Sequence, residues 1–302
     1  MEFQQLKHFL AAVEHGNIGR AAETLHISQS GLSRSIKNLE TTVGVSLLKR
    51  TARGVEPTVH GVQLIPRARA ILNQANRARE DLETARATRG GHVRIGVTVN
   101  FAHYLMPDLI FEISKSNPDI QWTVLTGTFG QAIEKIQSAE VDLFFGLLVP
   151  LSEETELTID TLFESRSGIY GRIDHPLARK KKVEVQDLAG ERWATFDSKG
   201  LKRELEGYFE RNGLPAPAFV VTTNSYALLK QSVMQLNLLA IIPRSLADPD
   251  VGAKKLALLA SQTPGDHVRA GLVYREESLA IPAVAEVIAT LKEKARIFAK
   301  PV

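Results

Sequence analysis

The chain predicts an α/β protein in three parts. Residues 1–58 form a small helical unit closed by a two-stranded hairpin, residues 59–90 a long helix with a hinge, and residues 91–302 doubly wound α/β lobes. Three observations carry this. Apolar residues recur every three or four positions through the first forty residues, the period of amphipathic helices. From Thr58 to about Ala87 a narrower stripe of the same period continues. From His92 onward, short apolar runs alternate with amphipathic stretches, the mark of strands covered on both faces by helices.

Of the 302 residues, 44% are hydrophobic and 24% charged, enough to bury sizeable cores and unlike a disordered composition. The net charge of +3 is small, but its distribution is not even. Residues 1–90 hold 13 basic and 8 acidic side chains, the remainder 24 and 26. The excess therefore belongs to the front third, as a basic binding face would require. There is no cysteine, which excludes disulfides, Cys-ligated zinc, iron–sulfur clusters and thiol catalysis. The first residues, MEFQQLKHFLAAVEH, lack the apolar core of a signal peptide, and no run of about 18 apolar residues occurs. A soluble, cytoplasmic protein without a membrane partner is expected.

Phe3, Leu6, Phe9, Leu10 and Val13 share one face of a first helix, which Gly16 stops. Asn17 caps a second helix of about two turns with Ile18, Ala21, Ala22 and Leu25 inward. Ser28 caps a third, with Leu32, Ile36 and Leu39 inward, and Gly44 ends it. Small alanines at the crossing let two helices approach closely, which is how a helix-turn-helix reads. The outward face of the third helix carries Gln29, Ser30, Ser33, Arg34 and Lys37. Gln and Arg make bidentate hydrogen bonds to base edges, and Ser bonds bases or phosphates. A polar, solvated face on an ordinary three-helix unit fits the same residues equally well. Beyond Leu47 and Leu48, the segment Lys49–Glu56 reads as two short strands around a glycine turn, a wing with a basic tip. Arg53 is placed to reach a narrow minor groove and Arg50 to hold phosphate.

The stretch AAETLHISQSGLSRSIKNLE, with GVSLLKR and the wing TARG, resembles the winged helix-turn-helix of LysR-type transcriptional regulators. That family usually has Pro and Ala where this chain has Ser30 and Gly31. The resemblance implies double-stranded promoter DNA as a partner, with RNA polymerase a further candidate, in the bacterial cytoplasm.

In the long helix, Ile65, Ala68, Leu72, Ala75 and Leu82 form a narrow seam, too narrow for a buried core helix. Arg77, Glu80, Asp81 and Glu83 are assigned to the outer faces; Arg79 falls in the seam, and Pro66 should weaken the first turns. A solvated spacer without a partner would look the same. The resemblance implies instead pairing of two such helices, giving a homodimer or a dimer-of-dimers tetramer on an inverted-repeat operator. Thr88, Arg89, Gly90 and Gly91 break the pattern.

After the glycines, HVRIGVTVN reads as a strand with a polar end, Leu105–Ser114 as a helix, IQWTVLTG as a strand, Gln131–Ser138 as a helix and VDLFFGLLV as a strand. SGIYGR, RWATFD, AFVVTT, LLAIIP and RAGLVYR read as further strands. KRELEGYFERNG, SYALLKQSVMQ and IPAVAEVIATLKEKARIF read as helices. A parallel sheet is expected, with a turn around Asn237, which tolerates a left-handed backbone. The region is similar, at the level of pattern, to the family's effector domain, which is like periplasmic binding proteins. That layout implies lobe I at 91–164 and 268–302 and lobe II at 165–267. Ligands in open α/β folds bind at the carboxyl ends of strands. Thr98, Asn100, Thr128, Phe129, Phe196 and Thr223 sit at such ends, where hydroxyls and amides suit a small organic anion and rings suit its body. Each polar one would serve equally as a helix cap.

The leading reading is a transcription factor that responds to a small-molecule effector. A periplasmic binding protein for uptake is disfavoured by the helix-turn-helix and the missing signal peptide. An α/β enzyme is disfavoured because no P-loop, GxGxxG, GxSxG or HExxH motif occurs and the eight histidines lack ligand spacing. No cofactor and no metal are expected.

Overall fold

The computed structural model describes residues 1–52, 54–87, 90–150, 156–197, 199–261, 263 and 268–298. The chain begins α1 (Phe3–His15), α2 (Ile18–Thr24), α3 (Gln29–Val43), β1 (Leu48–Thr51), β2 (Gly54–Pro57) and α4 (Val59–Ala87). It continues β3 (His92–Val97), α5 (Val99–Tyr104), α6 (Met106–Ser116), β4 (Gln121–Thr126), α7 (Phe129–Gln137), β5 (Leu143–Leu147), β6 (Thr158–Ser165) and β7 (Ser167–Arg172). It ends β8 (Arg192–Phe196), α8 (Lys199–Arg211), β9 (Ala218–Thr223), α9 (Tyr226–Leu236), β10 (Ala240–Pro243), α10 (Arg244–Gly252), β11 (Leu256–Ala260), β12 (Val268–Tyr274) and α11 (Pro282–Phe298). Two compact units result: Met1–Gly96 with Asn117–Phe144 and Tyr274–Ala285, and Val97–Ser116 with Phe145–Val273 and Glu286–Val302. Among the described residues, no helix is long and apolar enough to cross a membrane.

In the first unit the predicted caps form. Gly16 ends α1 with φ 59°, a left-handed backbone that a side chain would resist. Asn17 accepts from the Arg20 N–H at 3.1 Å and Ser28 from the Gly31 N–H at 3.1 Å. Leu6, Phe9, Leu39, Leu47 and Ala68 make one buried cluster; Ala12, Ala21, Ala22, Leu32 and Ile36 make another. Phe3, expected inward, is 59% exposed, because the core is closed one turn later by Leu6. The hairpin pairs Leu48 with Pro57 and Thr51 with Gly54, antiparallel. Glu40 Oε1 accepts from the N–H groups of both Leu47 (2.7 Å) and Leu48 (3.1 Å), tying the end of α3 to the hairpin. The Val55 N–H donates to the Gly16 carbonyl at 2.8 Å, so the hairpin also rests on the α1–α2 turn.

Thr58 caps α4 by accepting from the Gly61 N–H at 3.1 Å. The first half of α4 differs from expectation. Ala68 is fully buried, and Leu64, Ile65, Ile71 and Leu72 pack against the α1–α3 cluster. Those seam residues are thus core of the chain's own helical unit; a narrow stripe suffices because α1 supplies the rest. Arg77, assigned to the outside, is buried against Asp142. Strand neighbours in this unit run β4, β3, β5. Thr88 and Arg89 of the expected hinge lie outside the described residues, and Gly91 has φ 98°.

In the second unit β7 lies between β10 and β11, with Ile169 opposite Ile241 and Tyr170 opposite Leu258. Both pairings are antiparallel, so in this part of the chain the alternation of strands and helices does not make these neighbours parallel; a buried apolar run reads the same in either direction. β8 and β9 are parallel, and β12 lies beside β6. The strand predicted to run through Asn100 stops at Val97, and α5 begins at Val99; the β-branched Val97, Thr98 and Val99 had extended the strand signal. β6, α10 and β11 were not anticipated. Asn237 caps α9 with φ 51°, as its tolerance of that backbone suggested.

Candidate nucleic-acid interface and ligand site

With Leu32, Ile36 and Leu39 buried, α3 is held in one rotation about its axis. Gln29, Ser30, Arg34 and Lys37 are exposed on the opposite side, and Ser33 is half-buried. Neither Arg34 nor Lys37 has an ion pair among the described residues, so both are free to meet an anion. Ser30 Oγ lies 3.3 Å from Ser28 Oγ, beside the cap. A Cβ at position 31 would stand 3.0 Å from Ser28 Oγ, so Gly31 leaves room for that cap. On the hairpin, Arg50 is exposed opposite Val55, and Lys49 pairs with Glu56 at 3.3 Å. Arg53 lies outside the described residues.

One supporting residue had no sequence signal. His8 is buried on α1, and its Nδ1 is 2.8 Å from Ser35 Oγ on α3. Burial, with Lys7 adding to it, pushes the imidazole below its usual value, so it holds α3 as a neutral ring.

Arg34→Ala tests the assigned face. Loss of a bidentate contact costs about 1–3 kcal/mol at a specific site, or roughly 5- to 150-fold. Titration of duplexes selected by the wild-type chain, against random duplex, should show this loss for the selected ones only. Unchanged affinity for a selected duplex would place the reading face elsewhere.

The residues proposed for a ligand divide clearly. Thr98 occupies the N-cap position of α5 but its side chain caps nothing. Its Oγ1 is buried without a hydrogen-bond partner. Asn100 is 3% exposed, and its Nδ2 likewise has no partner. Buried donors are seldom left unpaired, so neither of these two is explained by a bond within the described residues. Arg244, at the start of α10, has a third such donor, Nε; nothing in the sequence marked it beyond its apolar strand.

Phe196 and Thr223 come together because β8 and β9 pair them directly. Phe196 stacks on Tyr226 with centroids 4.3 Å apart and planes at 17°. Thr223 Oγ1 accepts from the Ser225 N–H at 3.0 Å. Tyr104 of α5 packs against the same buried cluster as Phe196 and Tyr226. Burial pushes the Tyr104 phenol up to about 12, against a hydrogen bond from Ser245, so it stays a neutral donor. In the first unit, Thr128 caps α7: its Oγ1 accepts from the Gln131 N–H at 3.4 Å, and its own N–H donates to Gln131 Oε1 at 3.0 Å. Phe129 is buried edge-on to Phe144, 5.8 Å between centroids.

Comparison with known proteins is consistent across the chain. Residues 3–62 match the family of bacterial regulatory helix-turn-helix proteins, lysR family, and residues 86–296 match the LysR substrate binding domain. The HTH-type transcriptional regulator CysL of Bacillus subtilis (strain 168) is 28% identical over 261 residues, 86% of each chain. The DNA-binding transcriptional dual regulator OxyR of Escherichia coli (strain K12) is 28% identical over 280 residues, 92% of this chain and 90% of its own. The crystal structure of CbnR, a LysR family transcriptional regulator, shares the fold, with a TM-score of 0.67 at 23% identity over 100% of both chains.

Proposed function

The chain belongs to the LysR family of bacterial regulatory helix-turn-helix proteins, and from that premise we propose how it reads DNA and what it senses. It is a DNA-binding transcriptional regulator with an effector-binding domain, and not an enzyme. Its domains are residues 1–58 for DNA, 59–90 for the linker and 91–302 for the effector, the last in lobes 91–164 with 268–302 and 165–267. Gln29, Ser30, Ser33, Arg34 and Lys37 read base edges in the major groove, Arg50 holds phosphate and Arg53 enters the minor groove. Two chains pair to present two winged domains to inverted half-sites, alone or as a dimer of dimers.

The effector is a small organic anion. The observation that supports this is the pair of unpartnered buried donors, Thr98 Oγ1 and Asn100 Nδ2. Phe196 and Thr223 contribute a second wall, with the Phe196 ring toward the ligand's apolar body. Thr128 and Phe129 are already engaged, one as the cap of α7 and the other in a core contact with Phe144. With no cysteine in the chain, the signal does not arise from thiol oxidation.

The test is a thermal-shift screen of small carboxylic acids on the full chain, followed by calorimetry of any hit. Thr98→Val keeps the shape and removes the hydroxyl. A hydroxyl–anion bond is worth roughly 1.5–3 kcal/mol, so affinity for the hit should fall about ten- to a hundredfold. Binding of ligand-free protein to a selected duplex should be unaltered. A hit that binds Thr98→Val like wild type would move the site away from α5.

A further inference from the structure

We propose that a buried charge cluster centred on Asp142 clamps the linker helix to its own chain, and that this clamp sets which spacing of DNA half-sites the protein reads. The helix α4 works on two opposite faces. Leu64, Ala68, Ile71 and Leu72 pack into the core of the winged domain. Asn73, Arg77 and Glu80, four and three residues apart, form a stripe on the other side.

Every member of that stripe is engaged. Asn73 Nδ2 donates to the Ser138 carbonyl at 2.6 Å, just past the end of α7. Arg77 is 6% exposed, and its Nη1 lies 2.6 Å from Oδ1 of the fully buried Asp142. Glu80 pairs with the Arg94 guanidinium on β3. Asp142 in turn is fixed to β3 twice: Oδ2 accepts from the Arg94 N–H at 2.7 Å, and its own N–H donates to the Arg94 carbonyl at 2.8 Å. Arg275, whose charge acts on both Arg77 and Asp142, donates to the Ile136 carbonyl of α7.

A solvated spacer helix needs none of this. Burying an ion pair costs desolvation that apolar residues of similar volume avoid, and such pairs are best attested where they fix one register. The pair is not tuned for strength, since neither Arg77 Nη2 nor Asp142 Oδ1 completes a hydrogen bond and the contact between the two residues is one of charge alone. Its effect is geometric. The winged domain is core-packed on one face of α4, and the α7–β3 end of the effector domain is bonded to the other. When two chains bind two half-sites, the separation of their α3 helices is then dictated by a stiff connection. This inference rests on the two-half-site reading above.

Duplexes selected from a random pool by the wild-type full chain provide the probe, together with copies whose half-sites are moved apart by one or two base pairs. Wild type should discriminate sharply between them. The double variant Arg77→Met/Asp142→Leu removes both charges and leaves an apolar contact. It should lose about tenfold or more of that discrimination. Affinity for a duplex with one half-site should not change. A folded double variant, by circular dichroism and light scattering, that keeps the wild-type spacing preference overturns the proposal. Hydrogen exchange on wild type decides the matter independently of any variant. Amides of residues 73–80 should open together with those of β3 and α7, and separate opening refutes the clamp. If selection returns only single half-sites, the two-half-site reading falls, and hydrogen exchange still judges the clamp.

Discussion

Phe9→Ala should destabilise the winged domain by about 3–5 kcal/mol, the range for truncating a fully buried phenylalanine. Phe9 is 0% exposed and touches the cluster of Leu6, Leu39, Leu47 and Ala68. Small domains are stable by only about 5–15 kcal/mol in total, so this loss removes much of the margin. DNA binding should fall with the folded fraction and recover at low temperature. Because Ala68 belongs to the same cluster, the first half of α4 should lose hydrogen-exchange protection in the same step as α1. If residues 64–72 of α4 stayed protected while α1 to α3 opened, the linker helix would not be part of that core.

Gly54→Ala should release the wing. Gly54 has φ 136°, and an added Cβ would stand 2.1 Å from the Gly16 carbonyl oxygen. That neighbour is backbone and cannot rotate aside. The strained φ alone costs of order 1–3 kcal/mol in a residue with a side chain. Relief of the clash also requires parting Val55 N–H from the Gly16 carbonyl, now 2.8 Å apart, a further loss of about 1 kcal/mol. The α1–α3 core should survive, so melting should broaden rather than collapse. Affinity for a selected duplex should drop at least about tenfold if the wing contributes one or two charge-assisted contacts. Wild-type affinity in a variant with a demonstrably detached hairpin would show that the wing does not touch DNA.

The parts of this molecule legible from sequence are those decided within one or two turns of chain. Asn17, Ser28 and Thr58 declare helix starts because their side chains bond amides three residues on, and Gly16, Gly44 and Asn237 declare ends because of their backbone freedom. What failed was decided by partners far away in the chain. The Ile65–Leu72 stripe looked like an exposed seam because α1, which covers it, lies some sixty residues earlier. Arg77 looked like surface because charge normally is; only Asp142, sixty-five positions on, makes its burial tolerable. The direction of β7 against β10 and β11 has no local code. Of the residues proposed for the ligand, sequence could name Thr98 and Asn100 as polar residues at a strand end. Whether they serve as caps depends on hydrogen bonds that only the fold displays.

The Glu40 carboxylate, which accepts two amide hydrogens from the start of the hairpin, has a kinetic consequence. A reading helix and a wing that swung separately would each have to be immobilised at the moment of landing, and each would add an entropic toll to every encounter. Held by the Glu40 carboxylate and by the Val55–Gly16 bond, they form a single stiff body with its shape already decided. If α3 and the hairpin contact DNA as proposed, a mismatch under the helix is not offset by movement of the hairpin.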